Sequence, residues 1–213
     1  MSASLMGAFR AVASAVRDAR DELNRLDAVA GDGDIGVTMA AAADAILGLP
    51  AEVANSSPEA ALRQVGMEIA RHAPSTAGTL VATALLAAAR VEASTDDSIV
   101  AVIARRAAAA QRAIEDRGHA KVGDKTMLDA IDPLVVSLEG SARAGTPLAD
   151  ALARAASAAR DGAQHTRELR ARVGRAGWLA DRSEGAEDAG AHLIALIAEA
   201  ASRYVSEASH GDS

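Results

Sequence analysis

The sequence predicts an all-α fold, and three observations carry the prediction. Half of the 213 residues are apolar, yet aromatic residues make up 1% and Ala supplies most of the apolar count. Ala, Leu and Arg are strong helix formers, and Pro, which breaks helices, occurs five times. Apolar residues recur at helical spacing, and no segment alternates as a half-buried strand does. The length suits one domain, or at most two small ones, and is enough to bury a real core.

The elements follow in order. Leu5, Phe9, Val12, Val16, Leu23 and Leu26 share a helical face, so a first amphipathic helix spans residues 3–25. LDAVAGDGDIGVTM, rich in Asp and Gly, is a turn. A second helix runs over 36–48 and stops at Gly48-Leu49-Pro50. Asn55-Ser56-Ser57-Pro58, with Glu59 in the first turn, starts a third that reaches about residue 71. HAPSTAG ends it, and a fourth covers 78–92. Ser94, Thr95 and Asp96 offer caps for a fifth over about 97–116. After RGHAKVGDKTM, Asp124 or Thr126 caps a sixth that runs to about 140. Thr146-Pro147 starts a seventh that reaches about 172. A long Gly-rich connection, VGRAGWLADRSEGAEDAG, leads to an eighth over 189–207. Residues 1–208 read as a single domain and 209–213 as a frayed tail.

The loops alternate in chemistry. Those after helices 1, 3, 5 and 7 are unusual, being rich in Gly, Asp or both; those after helices 2, 4 and 6 are ordinary. In an up-and-down bundle, alternate loops share an end. The four unusual loops therefore gather at one end and can build one site.

Composition excludes several classes. With no Cys there are no disulfides, thiolate metal sites or thiol nucleophiles. A net charge of −7 and only Phe9, Trp178 and Tyr204 as aromatics argue against nucleic-acid binding. Apolar runs are broken by charge well short of the ~20 residues of a membrane span, and the N-terminus lacks the basic start of a signal peptide. The expectation is a cytoplasmic protein with neither membrane nor nucleic acid as a partner.

Four segments can carry chemistry. Asp27, Asp32 and Asp34 lie within eight residues, among Gly31, Gly33 and Gly36. Hard cations such as Mg²⁺ take carboxylate oxygens, and the spacing is not that of an EF-hand; read alone, the segment is a solvated turn with a capping Asp. Pro74 to Thr79 opens a helix with small residues, which suits an anion or a plain cap. In Gly118 to Met127, His119 is a candidate base and Lys125 a phosphate partner, against an exposed His and a solvated Lys. Met127 enters the core or packs on a base. Arg175, between glycines, is a phosphate fork, Trp178 a core residue or a cover, and Asp188-Ala189-Gly190 precedes the last helix with amides or a cap. Together they describe a Mg–nucleotide site. Walker, dinucleotide and protein-kinase signatures are absent from the sequence, so such a site is built on helices.

LDAVAGDGDIGVTM, PSTAGTL, GDKTMLDAIDPL and GRAGWLADRSEGAEDAG, in this order over about residues 20–205, resemble the signature segments of the L subunit of dihydroxyacetone kinase. The resemblance implies an eight-helix antiparallel closed barrel that binds ADP or ATP through two Mg²⁺ at one end. It implies Asp27, Asp32 and Asp34 as metal ligands. Phosphate contacts would come from the first loop (Ile35, Gly36, Val37 and Thr38) and the second (Thr76 and Ala77). Gly118 and Met127 would flank the base, and Arg175 with Asp188, Ala189 and Gly190 would close the site. Ile35 stands where the family usually has His, and Ala77 where it usually has Ser, which removes side-chain hydrogen bonds near the phosphates.

The resemblance further implies that the chain is half an enzyme with no catalytic residue of its own. A K subunit binds the substrate covalently through a His, and the phosphoryl donor is ATP or a phosphotransferase-system M subunit acting on resident ADP. Oligomeric state stays open, a homodimer included. A second reading is a non-catalytic nucleotide-binding regulator that docks on a partner protein. A purely structural bundle gives no reason for three clustered Asp.

Overall fold

The computed structural model describes residues 4–50, 53, 55–174 and 180–210. The helices are α1 (Leu5–Asp18), α2 (Arg20–Asp27), α3 (Ile35–Leu47), α4 (Pro58–His72) and α5 (Thr76–Ala88). They continue with α6 (Ile99–Gly118), α7 (Leu128–Arg143) and α8 (Leu148–His165), a 3₁₀ turn (Thr166–Glu168), the short α9 (Ala180–Ser183) and α10 (Ala189–His210). No strand occurs among the described residues.

Most starts follow from local chemistry. The Ser57 hydroxyl accepts from the Ala60 amide at 3.2 Å and Pro58 occupies the first turn, as the sequence predicts. Ser75 caps α5 through the Gly78 amide, so this helix begins two residues before its predicted start and ends at Ala88. Ser98, rather than Ser94, Thr95 or Asp96, caps α6. Asp97 instead accepts from the Ser94 amide and pairs with Arg105. Neither Asp124 nor Thr126 is the cap of α7, whose N-cap position is Met127. The eighth predicted helix extends to His210, so residues 209 and 210 are helical; 211–213 lie outside the described residues.

The first predicted helix is two. At Ala19 (φ −86°, ψ 8°) the amide bonds to both Ala15 O and Arg17 O, and α2 begins at Arg20. Neither Pro nor Gly marks this break. The seventh stops at His165 rather than near 172, where the 3₁₀ turn begins.

Consecutive long helices pack side by side from α1 through α3, α4, α5, α6, α7 and α8 to α10, and α10 packs back on α1. The ring is therefore closed, with eight staves when α1 and α2 count as one. At the far end the Ser4 amide meets the Tyr204 hydroxyl at 3.2 Å. Large apolar side chains fill the centre, with Leu23, Leu128 and Leu193 fully buried; each contributes about 2–3 kcal/mol relative to exposure.

Where α7, α8 and α10 meet, Ala130, Ala159, Ala163, Ala191 and Ala195 are all buried. Small side chains let these backbones approach. A Cβ on Gly162 would sit 2.2 Å from the Asp129 carbonyl. That carbonyl lacks its helical donor because Pro133, four residues on, has no N–H. Among the described residues, no helix is long and apolar enough to cross a membrane.

Candidate functional site

One end of the ring holds a cavity of about 360 Å³. Its walls come from the α2–α3, α4–α5, α6–α7 and α8–α10 connections, the four the sequence brings to one end.

The α2–α3 corner is built by two side chains of α2. Asp27 Oδ2 accepts from the Asp34 amide at 3.0 Å and the Ile35 amide at 3.3 Å, and Asn24 Oδ1 accepts from the Val37 amide at 3.2 Å. They satisfy the open amides of the α3 N-terminus from a neighbouring helix. The approach requires Gly36, because a Cβ there would lie 2.0 Å from the Arg20 carbonyl.

Asp27 is thus a cap, and it also joins a cluster. Asp27, Asp32 and Asp34 each present a carboxylate oxygen, and these atoms lie within 4.8 Å of one another. Three hard anionic oxygens at that spacing fit a divalent cation such as Mg²⁺. Ile35 also lines the cavity. Gly36, Val37 and Thr38 are not among its lining residues: Gly36 is buried against α2, Val37 is 46% exposed, and the Thr38 hydroxyl donates to Asp34 O at 2.7 Å.

Across the cavity, Thr76 and Ala77 form the first turn of α5 and line the wall. Their amides have no intrahelical acceptor, so the positive end of α5 faces the cavity. Gly118, at the end of α6, and Met127 also line it. Met127 is buried beside Ile114, Leu128 and Ile131, so it is core and cavity wall at once. His119 is exposed in the left-handed region (φ 50°), as the C-cap of α6, and is not among the lining residues.

Lys125 is neither a solvated side chain nor free for a phosphate. It is 4% exposed, and its Nζ donates to the carbonyls of Thr166 (2.7 Å), Leu169 (3.1 Å), Ser183 (2.7 Å) and Ala186 (2.7 Å). Its loop is shaped by Asp129, which accepts from the Gly123 amide at 2.6 Å and the Thr126 amide at 2.7 Å. Burial lowers the Lys125 pKa, against the opposing fields of Asp188 and Glu184.

Asp188, Ala189 and Gly190 complete the wall. Asp188 Oδ1 accepts from the Ala191 amide at 2.7 Å and so caps α10. Burial raises its pKa to about 6; the Ala191 hydrogen bond opposes this and the nearby Asp129 adds to it. Glu187 is buried and paired with His192 (2.8 Å), Arg167 (3.0 Å) and Arg160 (3.5 Å). Burial raises its pKa, but the hydrogen bonds from His192 and Arg167 outweigh this and lower it overall. Arg175 and Trp178 lie outside the described residues.

Asn24, Asp129 and the role of Lys125 escaped the sequence reading. Thr126 and Asp129, three residues apart in a capping-box spacing, were a local signal for a loop closed on a carboxylate. Five acidic side chains (Asp27, Asp32, Asp34, Glu187 and Asp188) line the cavity; among the described lining residues Lys125 is the sole cation, and its ammonium is committed.

Comparison with known proteins adds to this geometry. Residues 29–203 match the DAK2 domain. A D-erythrulose kinase of Mycolicibacterium smegmatis is 37% identical over 209 residues, 96% of this chain and 36% of that protein. The ADP-binding subunit of the PEP-dependent dihydroxyacetone kinase of Escherichia coli is 30% identical over 175 residues, 82% of this chain and 83% of that subunit. The crystal structure of the dihydroxyacetone kinase of C. freundii superposes with a TM-score of 0.70 at 26% identity, covering 93% of this chain and 34% of that one. The chain thus spans about a third of the erythrulose kinase and most of the bacterial subunit. It belongs to the DAK2-domain family, which includes the ADP-binding L subunits of dihydroxyacetone kinases, and its helical fold is theirs.

Proposed function

We propose that the chain is the nucleotide-binding part of a short-chain ketose kinase. It holds ADP or ATP with two Mg²⁺ and delivers the phosphoryl group to a ketose held on a separate K-type subunit or domain. The observation that carries the reading is the charge of the cavity. Among the described lining residues the carboxylates of Asp27, Asp32, Asp34 and Asp188 repel a polyphosphate, Glu187 is paired with cations of its own, and the Lys125 ammonium is bound to carbonyls and so offsets little. A nucleotide therefore enters such a site only with cations that offset the charge of both. The relatives support the class: one is an ADP-binding subunit and another acts on D-erythrulose.

In this reading Asp27, Asp32 and Asp34 hold the cations, which supply charge neutralisation at the phosphate oxygens. The α5 N-terminus orients the phosphates through the Thr76 and Ala77 amides, with Ile35 of the first loop also on the cavity wall. Met127 and Gly118 receive the base, and Asp188 to Gly190 close the site. Phosphoryl transfer needs positioning and charge compensation more than covalent chemistry, so the nucleotide side of the reaction requires no nucleophile.

The test is nucleotide analysis of protein purified in Mg²⁺ without added nucleotide, followed by titration. The expected result is Mg²⁺-dependent binding of ADP or ATP, abolished in Asp32→Ala with the helical spectrum unchanged. ADP retained at one per chain assigns the donor to an M-type phosphotransferase subunit. A site that exchanges ATP assigns it to ATP. A site that binds neither overturns the kinase reading and leaves the regulator.

A further inference from the structure

We propose that Lys125 is a positioning residue for this site. Its ammonium group ties both limbs of the α8–α10 connection to the loop that carries Met127, and so holds the Glu187–Gly190 wall. The inference rests on the nucleotide reading for its effect on binding, but not for its effect on the wall.

The four acceptors divide evenly. Thr166 and Leu169 belong to the limb leaving α8, and Ser183 and Ala186 to the limb returning to α10. An ammonium has three protons, so four carbonyls at 2.7–3.1 Å fill its capacity with one shared. The limbs are also joined to each other and to the Lys125 loop. The Asp188 amide donates to Thr166 Oγ1 at 2.8 Å, the Gly185 amide to Arg167 O at 3.2 Å, and the Arg172 amide to Asp124 O at 3.2 Å.

Lys125 itself holds a left-handed backbone (φ 62°), fixed from Asp129 on either side. Burying a cation is costly unless its partners need it. A residue serving only to fill space would be Met or Leu. The carbonyls it gathers come from 41 to 61 residues away and include two on the limb that enters the cavity wall.

Lys125→Met removes the charge and keeps the length. In ligand-free protein, amides of residues 166–174 and 183–190 exchange about tenfold faster or more, while the helix-core amides and the helical spectrum stay as in wild type. Mg–ADP dissociates about tenfold faster with its association rate little changed, the loss of charge-assisted hydrogen bonds being of that order. In Lys125→Ala, n-butylammonium, which can refill the carbonyl cage, restores both readouts, and tetramethylammonium, which has no N–H, does not.

The wild type offers a check independent of any variant. The chain has two lysines, and Lys121 is exposed, so an amine-acylating reagent modifies Lys125 at least about tenfold more slowly than Lys121, a difference that reads how seldom the limbs open. Unchanged limb exchange in Lys125→Met overturns the proposal, as does an acceleration spread evenly over all helices, or equal labelling of the two lysines. Wild-type protein that fails to bind Mg–ADP defeats the nucleotide reading, and the exchange and labelling results then decide the role of Lys125 alone.

Discussion

Asp188 shows how a single side chain can work against stability at its post. Its folded pKa, about 6, lies above the ordinary 3.8, chiefly because burial disfavours the charge. The folded state then binds more protons than the unfolded one between those values, so this group's contribution to stability falls as pH rises from about 4 to about 6. The penalty is complete above that window. Asn is an equally good N-cap and carries no charge. Asp188→Asn in the ligand-free protein therefore raises stability by roughly 1–2 kcal/mol at pH 8 and by little at pH 4, as read by urea unfolding at both pH values. An Asp that weakens the empty protein at neutral pH fits a wall meant to face bound cations.

At the scale of elements, glycine placement decides how closely helices meet. A Cβ on Gly36 would strike the Arg20 carbonyl and Asn24 Oδ1, and neither can yield without moving α2 off the α3 N-terminus. Gly36→Ala should cost about 1–3 kcal/mol in thermal unfolding and weaken divalent-cation affinity by shifting Asp27. Gly140, in the interior of α7, has nothing within 4 Å of the same added atom. Gly140→Ala should be stabilising by up to about 1 kcal/mol through helix propensity, measured in the same assay.

Helix existence was legible because capping is local. Ser57 with Pro58, Gly48 as C-cap and Asp188 before α10 are chemistry confined to a few neighbouring residues. The gathering of four loops was legible from alternation along the chain. The break at Ala19 was not, since the partners of α2 stand on α3 and α10. Lys125 misled for the same reason: a lysine among Gly and Asp looks solvated until residues far along the chain supply its acceptors. The three Asp were legible as a cluster, whereas the second task of Asp27 as a cap for α3 is visible only once both helices are in place.

For the molecule as a whole, ligand binding and folding are linked. Mg–ADP at about 100 times its Kd should raise the unfolding free energy by about 2.7 kcal/mol, and a chelator should remove that increment while ADP remains. A shift that survives chelation would mean that the nucleotide does not depend on the Asp27, Asp32 and Asp34 cluster. The closed ring has a separate corollary. Ser4 and Tyr204 touch at the end opposite the cavity, where the α5–α6 connection also lies. The order in which the staves are threaded is therefore free to change. Joining the two ends by a short linker and reopening the chain near residue 95 would give a circular permutant with every site loop intact. Such a protein should keep its helical content and its cation-dependent nucleotide affinity, because the barrel has a top and a bottom but no required first stave.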